Sequence, residues 1–439
     1  MVVERTRYTN LSQVSVLALV AALGASGPAF ASGFGLHEGA ADWMGNAFAG
    51  GPAKAYDAST VWTNPAGMAL LDSSELDSDI SYIGPSSTFS GSASNPLTGG
   101  NVSGVNGGNS IAPAASGAAF GVWALAPAWR LGFSVTAPYG ERVSYPSNFV
   151  GRYQSLVSSI TDINVGLALS YKVNDHFSVG GGPNVDYFNA RLTQALNTPL
   201  SALTGKDALG DIHGDDVGVG YNLGALYRFD DTLRVGLDYH SRIRHNITGD
   251  QHITVPPIYS VYSPLLAGLL QAANSHATTN ITLPDSVSLG IYKQVTPQLA
   301  LLGSVEWTHW ALFNTLDVTA TNGSGATIIH ENWHNSWYFG VGANYQLTDK
   351  LMLQTGFSYD QSPVTGGNRT TRVPDADHYN LGIGAQYQLL PNTKLELAYL
   401  HLFSPGGHIS NSAGATAGTI TGNYDDSDNS VTAGVNVKF

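Results

Sequence analysis

Arg234, Asp238, His240, Arg242 and Arg244 fall at even spacing within 232–248, a stretch whose odd positions carry Leu233, Val235, Leu237 and Ile243. In an extended strand, even spacing places side chains on one face. The pattern therefore gathers five ionisable groups opposite an apolar face. The chemistry such a row offers is anion recognition, because a guanidinium fork grips a carboxylate through two parallel hydrogen bonds. Arg242 and Arg244, near one end of the stretch, are the candidate carboxylate contacts. The alternative is structural: the same arginines pair with Asp238, Glu306, Asp360 or Asp57. Catalytic chemistry finds less support. None of the 13 histidines stands in an H-E-x-x-H spacing,. His330 and His334 are four apart, but they flank a strand start, where i and i+4 do not converge as they do on a helix. There is no G-x-S-x-G nucleophile elbow. Gly180-Gly181-Gly182 lies within a strand and lacks a phosphate-loop context, and the chain has no cysteine. No metal, no cofactor and no enzymatic reaction are expected.

The elements that must position this row are strands. Fourteen segments alternate with period two and are separated by turn signals: 75–90, 116–127, 129–143, 160–173, 176–194, 216–229, 232–248, 283–294, 298–320, 333–347, 350–365, 376–388, 393–409 and 427–439. Short links (Pro127-Ala128, Asn174-Asp175, Asp230-Asp231, Thr296-Pro297, Thr348-Asp349, Pro391-Asn392) alternate with long ones. An even strand count with short turns at one end and long loops at the other is the pattern of a transmembrane antiparallel β-barrel. Composition agrees. Only 12% of residues are charged, against about 25% in soluble domains, while the mean hydropathy is −0.02. Lipid-facing apolar and lumen-facing polar residues that alternate would cancel in this way. A net charge of −13 argues against a nucleic-acid partner. Faces follow from the alternation. Tyr379, Leu381, Ile383, Ala385 and Tyr387 should face lipid, as should Trp337, Phe339, Val341, Ala343 and Tyr345; their even or odd neighbours, rich in glycine, should face the lumen and leave it roomy.

Two N-terminal regions stand apart. Arg5 and Arg7, the apolar run 14–23 and Ala29-Phe30-Ala31 before Ser32 form an export signal, predicted as 1–31,. The apolar run is shorter than the roughly 20 residues that span a bilayer. Residues 32–72 are too rich in Gly, Ala, Asp and Asn for a membrane strand and too few for a domain, so they need enclosure. They are expected to plug the barrel formed by 73–439.

The order of short motifs in that plug carries a resemblance. Gly33-Phe34, Gly45-Asn46-Ala47 with Ala49-Gly50, Asp57-Ala58-Ser59-Thr60 and Asn64-Pro65-Ala66-Gly67 follow one another. A second series runs Leu283-Pro284-Asp285-Ser286, Glu306-Trp307-Thr308, Trp310, Asn332-Trp333 and Asp360-Gln361-Ser362-Pro363. Together they resemble the FadL/TodX family of outer-membrane transporters over nearly the whole mature chain. The resemblance implies uptake of long-chain fatty acids or aromatic and aliphatic hydrocarbons across the bacterial outer membrane, with the N-terminal segment as a hatch. Phe34, Asn64, Pro65, Ala66 and Gly67 are its candidate gating residues. It also implies an outer groove made by the loops 195–215 and 249–282. In the second loop, Pro264 opens a helix whose stripe is Leu265, Leu266, Leu269 and Leu270,; that stripe either captures ligand or packs against the neighbouring loop. It further implies sideways exit at a kinked third strand, where Gly132, Pro138 and Gly140 are the candidates. The expected partners are a hydrophobic small molecule, outer-membrane lipid and, through the terminal Phe439, the barrel-assembly machinery, with the chain acting as a monomer. The alternative is a barrel that does not transport, such as an adhesin or a structural porin.

Overall fold

A computed structural model describes residues 33–439; the predicted export signal, 1–31, and Ser32 lie outside the described residues. All strands join one antiparallel sheet that closes on itself. There are fourteen transmembrane strands, several broken into two segments: β1 75–93, β2 114–126, β3 129–144, β4 157–172, β5 177–196, β6 208–228, β7 233–254, β8 275–294, β9 299–320, β10 326–346, β11 351–360, β12 378–390, β13 393–412 and β14 419–438. Closure is made by β1 against β14, in register from Glu75↔Lys438 to Ala93↔Ile420. Every strand therefore has two neighbours, which is what a lipid environment demands of backbone N–H and C=O groups. Among the described residues no helix is long and apolar enough to cross a membrane.

The alternation expected for β10 and β12 holds. Trp337, Phe339, Val341 and Tyr345, and Tyr379, Leu381, Ile383 and Tyr387, are exposed on the outside; Tyr338, Asn344, Asn380 and Gln386 are buried inside. Most strands run past the predicted segments at their outer ends, so the links there are shorter than the sequence suggests; the exception is the link after β11, which lengthens from the predicted 366–375 to 361–377. The predicted loop 195–215 reduces to 197–207 around one short helix, α4, Pro199–Thr204; β6 already begins at residue 208.

Inside the barrel lie residues 33–72, as three short helices and a 3-10 turn: α1 Ala41–Met44, α2 Gly51–Lys54, α3 Thr60–Thr63 and Pro65–Leu70. Their packing explains the lumen glycines, and it corrects the expectation that these leave open space. A Cβ added at Gly236 would overlap the Pro52 carbonyl, one at Gly224 the Asn64 Oδ1, one at Gly356 the Asn46 backbone, and one at Gly180 would stand 2.6 Å from the Pro65 carbonyl carbon. The wall is glycine-rich because the backbone of the enclosed segment presses directly against it.

Candidate functional site

The enclosed segment is held by polar contacts as well as by shape. Asn64 accepts a hydrogen bond from the Ala66 N–H at 3.0 Å and donates to the Pro52 carbonyl at 2.7 Å and the Ala225 carbonyl at 3.1 Å. It thus caps the 3-10 turn that Pro65 opens and ties it to β6. The Ala66 carbonyl accepts from Ser178 Oγ at 2.9 Å. A Cβ on Gly67 would meet Thr60 Oγ1. Asn46 reaches Asn344 Oδ1 at 2.7 Å, and buried Lys54 pairs with Asp42 at 2.9 Å. Among the described residues, Ala47, Phe48 and Ala55 hold φ of 46°, 66° and 47°, left-handed values that cost side-chain-bearing residues free energy. Such a conformation persists only where the surroundings over-determine it, and here the barrel wall does so.

Phe34 sits at the upper tip of this segment. Its ring packs edge-on against Trp310 at 4.8 Å, Phe313 at 5.5 Å and Tyr139 at 5.8 Å, and tilted against Trp333 at 5.6 Å. The adjacent backbone joins the wall at a break in β3. That strand is interrupted between Trp129–Thr136 and Gly140–Ser144, and the gap is filled from inside: Leu36 N–H donates to the Pro138 carbonyl at 2.8 Å, and Gly140 N–H donates to the Phe34 carbonyl at 2.9 Å. Above this point β2 and β3 part. Their pairing ends at Ala119↔Val135, and only an isolated bridge, Ile111↔Val143, restores contact farther out. Of the three candidates in β3, the break falls at Pro138, which has no N–H to give to a ladder.

Similar interruptions at Ser241-Arg242 in β7 and Pro284-Asp285 in β8 change which residues face the lumen. Below the β7 break, Gly236 and Asp238 are buried and Leu237 is exposed; above it, Ile243, His245 and Ile247 are buried. Relative to β6 the register slips by one residue across this break, from Asn222↔His240 to Asp215↔Thr248, and a one-residue slip inverts the alternation. The expectation that Arg242 and Arg244 line the lumen is therefore corrected. Arg244 is exposed on the outside, in a row with Asn246 and Thr248. Arg242 pairs with Asp285 at 3.0 Å, and Asp285 also meets His309 at 3.1 Å, so Arg242 joins the breaks of three strands. Arg234 does point inward, but it serves the enclosed segment: it donates to the carbonyls of Ala53 and Lys54 and lies 3.8 Å over the Tyr292 ring.

The arginine that borders the apolar cavities at the barrel mouth is instead Arg372, which sequence reasoning missed. Residues 366–375, expected as an extracellular connection between strands 350–365 and 376–388, belong to a longer link, 361–377, that folds down into the barrel mouth, where Val364, Arg372, Val373 and Asp375 are buried. The signal that was available is an arginine beside Val373-Pro374 in a link that is otherwise polar. Arg372 borders two cavities. The lower one, of about 70 Å³, is walled by Phe34, Phe188, Ile247, Ile281, Phe313 and Val373, with Glu141 and Glu331 as further ionisable groups. The upper one, of about 120 Å³, is walled by Leu196, Ile212, Ile253, Val318 and Ile329. Arg372 Nη2 donates to Gln194 Oε1 at 2.5 Å, whereas Nη1 is buried without a hydrogen-bond partner. Burial pushes the guanidinium down to about 10, with Glu331 opposing, so it is charged at neutral pH. A buried, partly unsatisfied cation in an apolar chamber favours an anion with a hydrocarbon tail. The same connection reaches the enclosed segment: Asp375 Oδ2 accepts from the Gly33 N–H at 2.9 Å and from Ser362 Oγ at 2.6 Å.

The upper cavity leads outward. Leu196 and Ile253 also belong to the apolar cluster under the outer helices α5, Pro257–Tyr262, and α6, Pro264–Ala272. The four-leucine stripe splits here. Leu266 and Leu270 pack against that cluster, while Leu265 is 75% and Leu269 61% exposed, beside Val261 and Leu203. If the exposed pair adsorbs apolar ligand, changing Leu265 and Leu269 to Ser should weaken surface binding of a radiolabelled ligand about three- to tenfold without altering the melting temperature. Changing Leu266 and Leu270 to Ser should instead lower the melting temperature. Unchanged binding in the first variant would make the exposed pair mere surface. A third cavity, of about 180 Å³, lies beneath Phe34 between His37, Trp43 and Trp62 on one side and Pro138, His240 and Tyr338 on the other, against the β3 break.

The comparisons with known proteins agree with this architecture. The family model described as outer membrane protein transport protein (OMPP1/FadL/TodX) matches residues 22–439. A "47 kDa outer membrane protein" of Pasteurella multocida is 29% identical over 418 residues, covering 91% of this chain and 92% of the relative. The "long-chain fatty acid transport protein" of Escherichia coli (strain K12) is 25% identical over 433 residues, covering 91% and 93%. Among solved structures, a Pseudomonas aeruginosa FadL homologue superposes with a TM-score of 0.87 at 24% identity, over 93% of this chain and all of that one. The Ralstonia pickettii toluene transporter TbuX superposes with a TM-score of 0.64 at 16% identity, over 90% and 99%. A closed fourteen-stranded barrel, a lumen filled by its own N-terminal segment and a family match that runs to the last residue lead to one conclusion: the chain is a bacterial outer-membrane β-barrel and belongs to the OMPP1/FadL/TodX family of outer-membrane transport proteins.

Proposed function

We propose that the protein takes up long-chain molecules with an anionic head, fatty acids above all, and that it performs no chemical step on them. The observation that carries this reading is Arg372, buried in an apolar chamber with Nη1 unpaired. A neutral hydrocarbon gives that cation nothing, whereas a carboxylate entering the chamber loses hydration and needs a charged partner. On this reading, ligand adsorbs on the groove at Leu265 and Leu269, enters the upper cavity and places its head at Arg372 with its tail toward Phe34. The chain 361–377 then links ligand to hatch, because Asp375, three residues from Arg372, holds Gly33. Release of Phe34 to Leu36 from β3 opens the lower chamber toward the third cavity and the gap between β2 and β3. Exit there delivers an apolar tail into the bilayer rather than into water. The residues Asn64, Pro65, Ala66 and Gly67 anchor the fixed part of the hatch in this scheme. The protein acts as a monomer, with outer-membrane lipid against its exposed apolar band and the exposed Phe439 as its assembly signal.

The test is a pair of ligands in one variant. Arg372→Met keeps length and removes charge. Uptake of an eighteen-carbon fatty acid should fall about tenfold or more, while uptake of a neutral hydrocarbon of similar length stays close to wild type. Equal losses for both ligands would make Arg372 a structural brace, and no loss for either would remove it from the path.

A further inference from the structure

At the opposite, periplasmic end of the lumen, four carboxylates crowd together where the hatch meets the wall. Asp57 comes from the hatch, Asp77 and Asp79 from β1 and Glu396 from β13; all are buried, none more than 4% exposed. Lys394 is the cation that pairs among them, 3.2 Å from Asp57 Oδ2 and 2.6 Å from Glu396 Oε1. Of the neighbouring acids, Asp42 takes Lys54 at 2.9 Å and amide donors from Gln354 and Gln386, and buried Glu75 accepts from Asn436 Nδ2 at 2.9 Å. When ionised, four carboxylates against one ammonium carry a negative excess in a volume shielded from water. Such an excess is expensive unless something neutralises it.

Asp77 shows where the compensation is missing. Both of its oxygens are buried without a hydrogen-bond partner, as is Asp79 Oδ2. Its carboxylate is aimed at the others: one oxygen each from Asp57, Asp77 and Glu396 lie within 4.8 Å of one another. Two oxygens on opposite sides of a Ca²⁺ ion at about 2.4 Å from it stand about 4.8 Å apart, so all three fit a single hard cation. The set is purely oxygen, which suits Ca²⁺ over a transition metal. An approach exists as well. A cavity of about 330 Å³ lined by Tyr56, Gln386, Asn436 and Lys438 reaches Lys394 from the periplasmic side.

We infer that Asp57, Asp77 and Glu396 form a divalent-cation site, with Ca²⁺ the fitting ion, that clamps the base of the hatch to β1 and β13. The ligands come from the hatch and from two strands on the wall, so the bound ion cross-links the plug to the barrel. Without it, the same carboxylates repel and loosen the junction. The site is independent of Arg372 and of the ligand chemistry argued for it.

The experiment uses the purified full-length barrel in a nonionic detergent, stripped with a chelator and titrated with CaCl₂ by calorimetry, alongside thermal melts. Wild-type protein should bind one Ca²⁺ per chain, and saturating Ca²⁺ should raise the melting midpoint by about 5 °C. Asp77→Asn and Glu396→Gln should each weaken Ca²⁺ binding about tenfold or more, and exposed Asp317→Asn should leave it intact. Asp77→Asn relieves repulsion, so the readout is the Ca²⁺-dependent shift and not the melting point itself. If Asp77→Asn fails to assemble, Glu396→Gln and the wild-type titration still decide. Absence of Ca²⁺ binding by wild type overturns the inference and leaves the carboxylates neutralised by protons. Wild-type Ca²⁺ affinity in Asp77→Asn and Glu396→Gln overturns it equally.

Discussion

Gly236→Leu should open the barrel without unfolding it. The side chain at 236 points into the lumen, where a Cβ already overlaps the Pro52 carbonyl and comes within 2.9 Å of Asn64 Nδ2. A leucine there overpacks the contact by several carbon atoms. Forcing extra methylenes into a packed interior costs about 1–3 kcal/mol even where neighbours can shift, and here the neighbour is backbone. The ladder of β7 with β6 and β8 is made by main-chain groups that the substitution leaves in place, so the cheapest relief is for the hatch to leave the wall. Purified Gly236→Leu should keep strand-dominated circular dichroism and heat-modifiable migration. It should conduct ions in planar bilayers where wild type is closed, and fatty-acid uptake should fall. Gly303→Leu is the control, because Gly303 shares the outward face of β9 with exposed Leu301, opposite buried Ala300 and Leu302; it should behave as wild type. A closed, fully active Gly236→Leu variant would mean that the hatch does not rest on this wall.

The strands and the enclosed segment were legible for different reasons. Fourteen strands could be counted because lipid on one side and lumen on the other impose period two, and Tyr379 to Tyr387 or Trp337 to Tyr345 keep that period without interruption. The segment 32–72 stood out because its composition suits neither lipid nor an independent core. What could not be read was parity across a break. Ser241-Arg242 carries no mark that distinguishes it from an ordinary pair of strand residues, yet it turns Ile243, His245 and Ile247 inward and Arg244 outward. The glycines posed a related problem. Gly180, Gly224 and Gly236 look like empty space until the backbone that fills it, Pro52 to Pro65, is in view. Arg372 was hidden because long links between strands are expected at the surface, and only tertiary packing shows that 361–377 turns back into the mouth.

The second large effect concerns the tip of the hatch, and it bears on whether transport needs the hatch to move. Gly35 and Tyr139 form an isolated antiparallel bridge, and the hydrogen bonds on either side of it run between Leu36 and Pro138 and between Gly140 and Phe34. The two residues are therefore a non-hydrogen-bonded pair, whose Cα atoms stand about 4.5 Å apart, within the span a disulfide accepts. The chain has no cysteine of its own, so a Gly35→Cys, Tyr139→Cys double variant makes one defined cross-link between the hatch and the broken strand. The most direct measurement is fatty-acid uptake by cells carrying this variant, oxidised and then reduced, with each single cysteine variant as a control. Uptake should drop to the level of cells lacking the protein when the bond is closed and return when it is reduced, while the single variants ignore the oxidant. Undiminished uptake by the oxidised double variant, with the cross-link verified on a non-reducing gel, would contradict a path that runs past Phe34 and through the gap in β3.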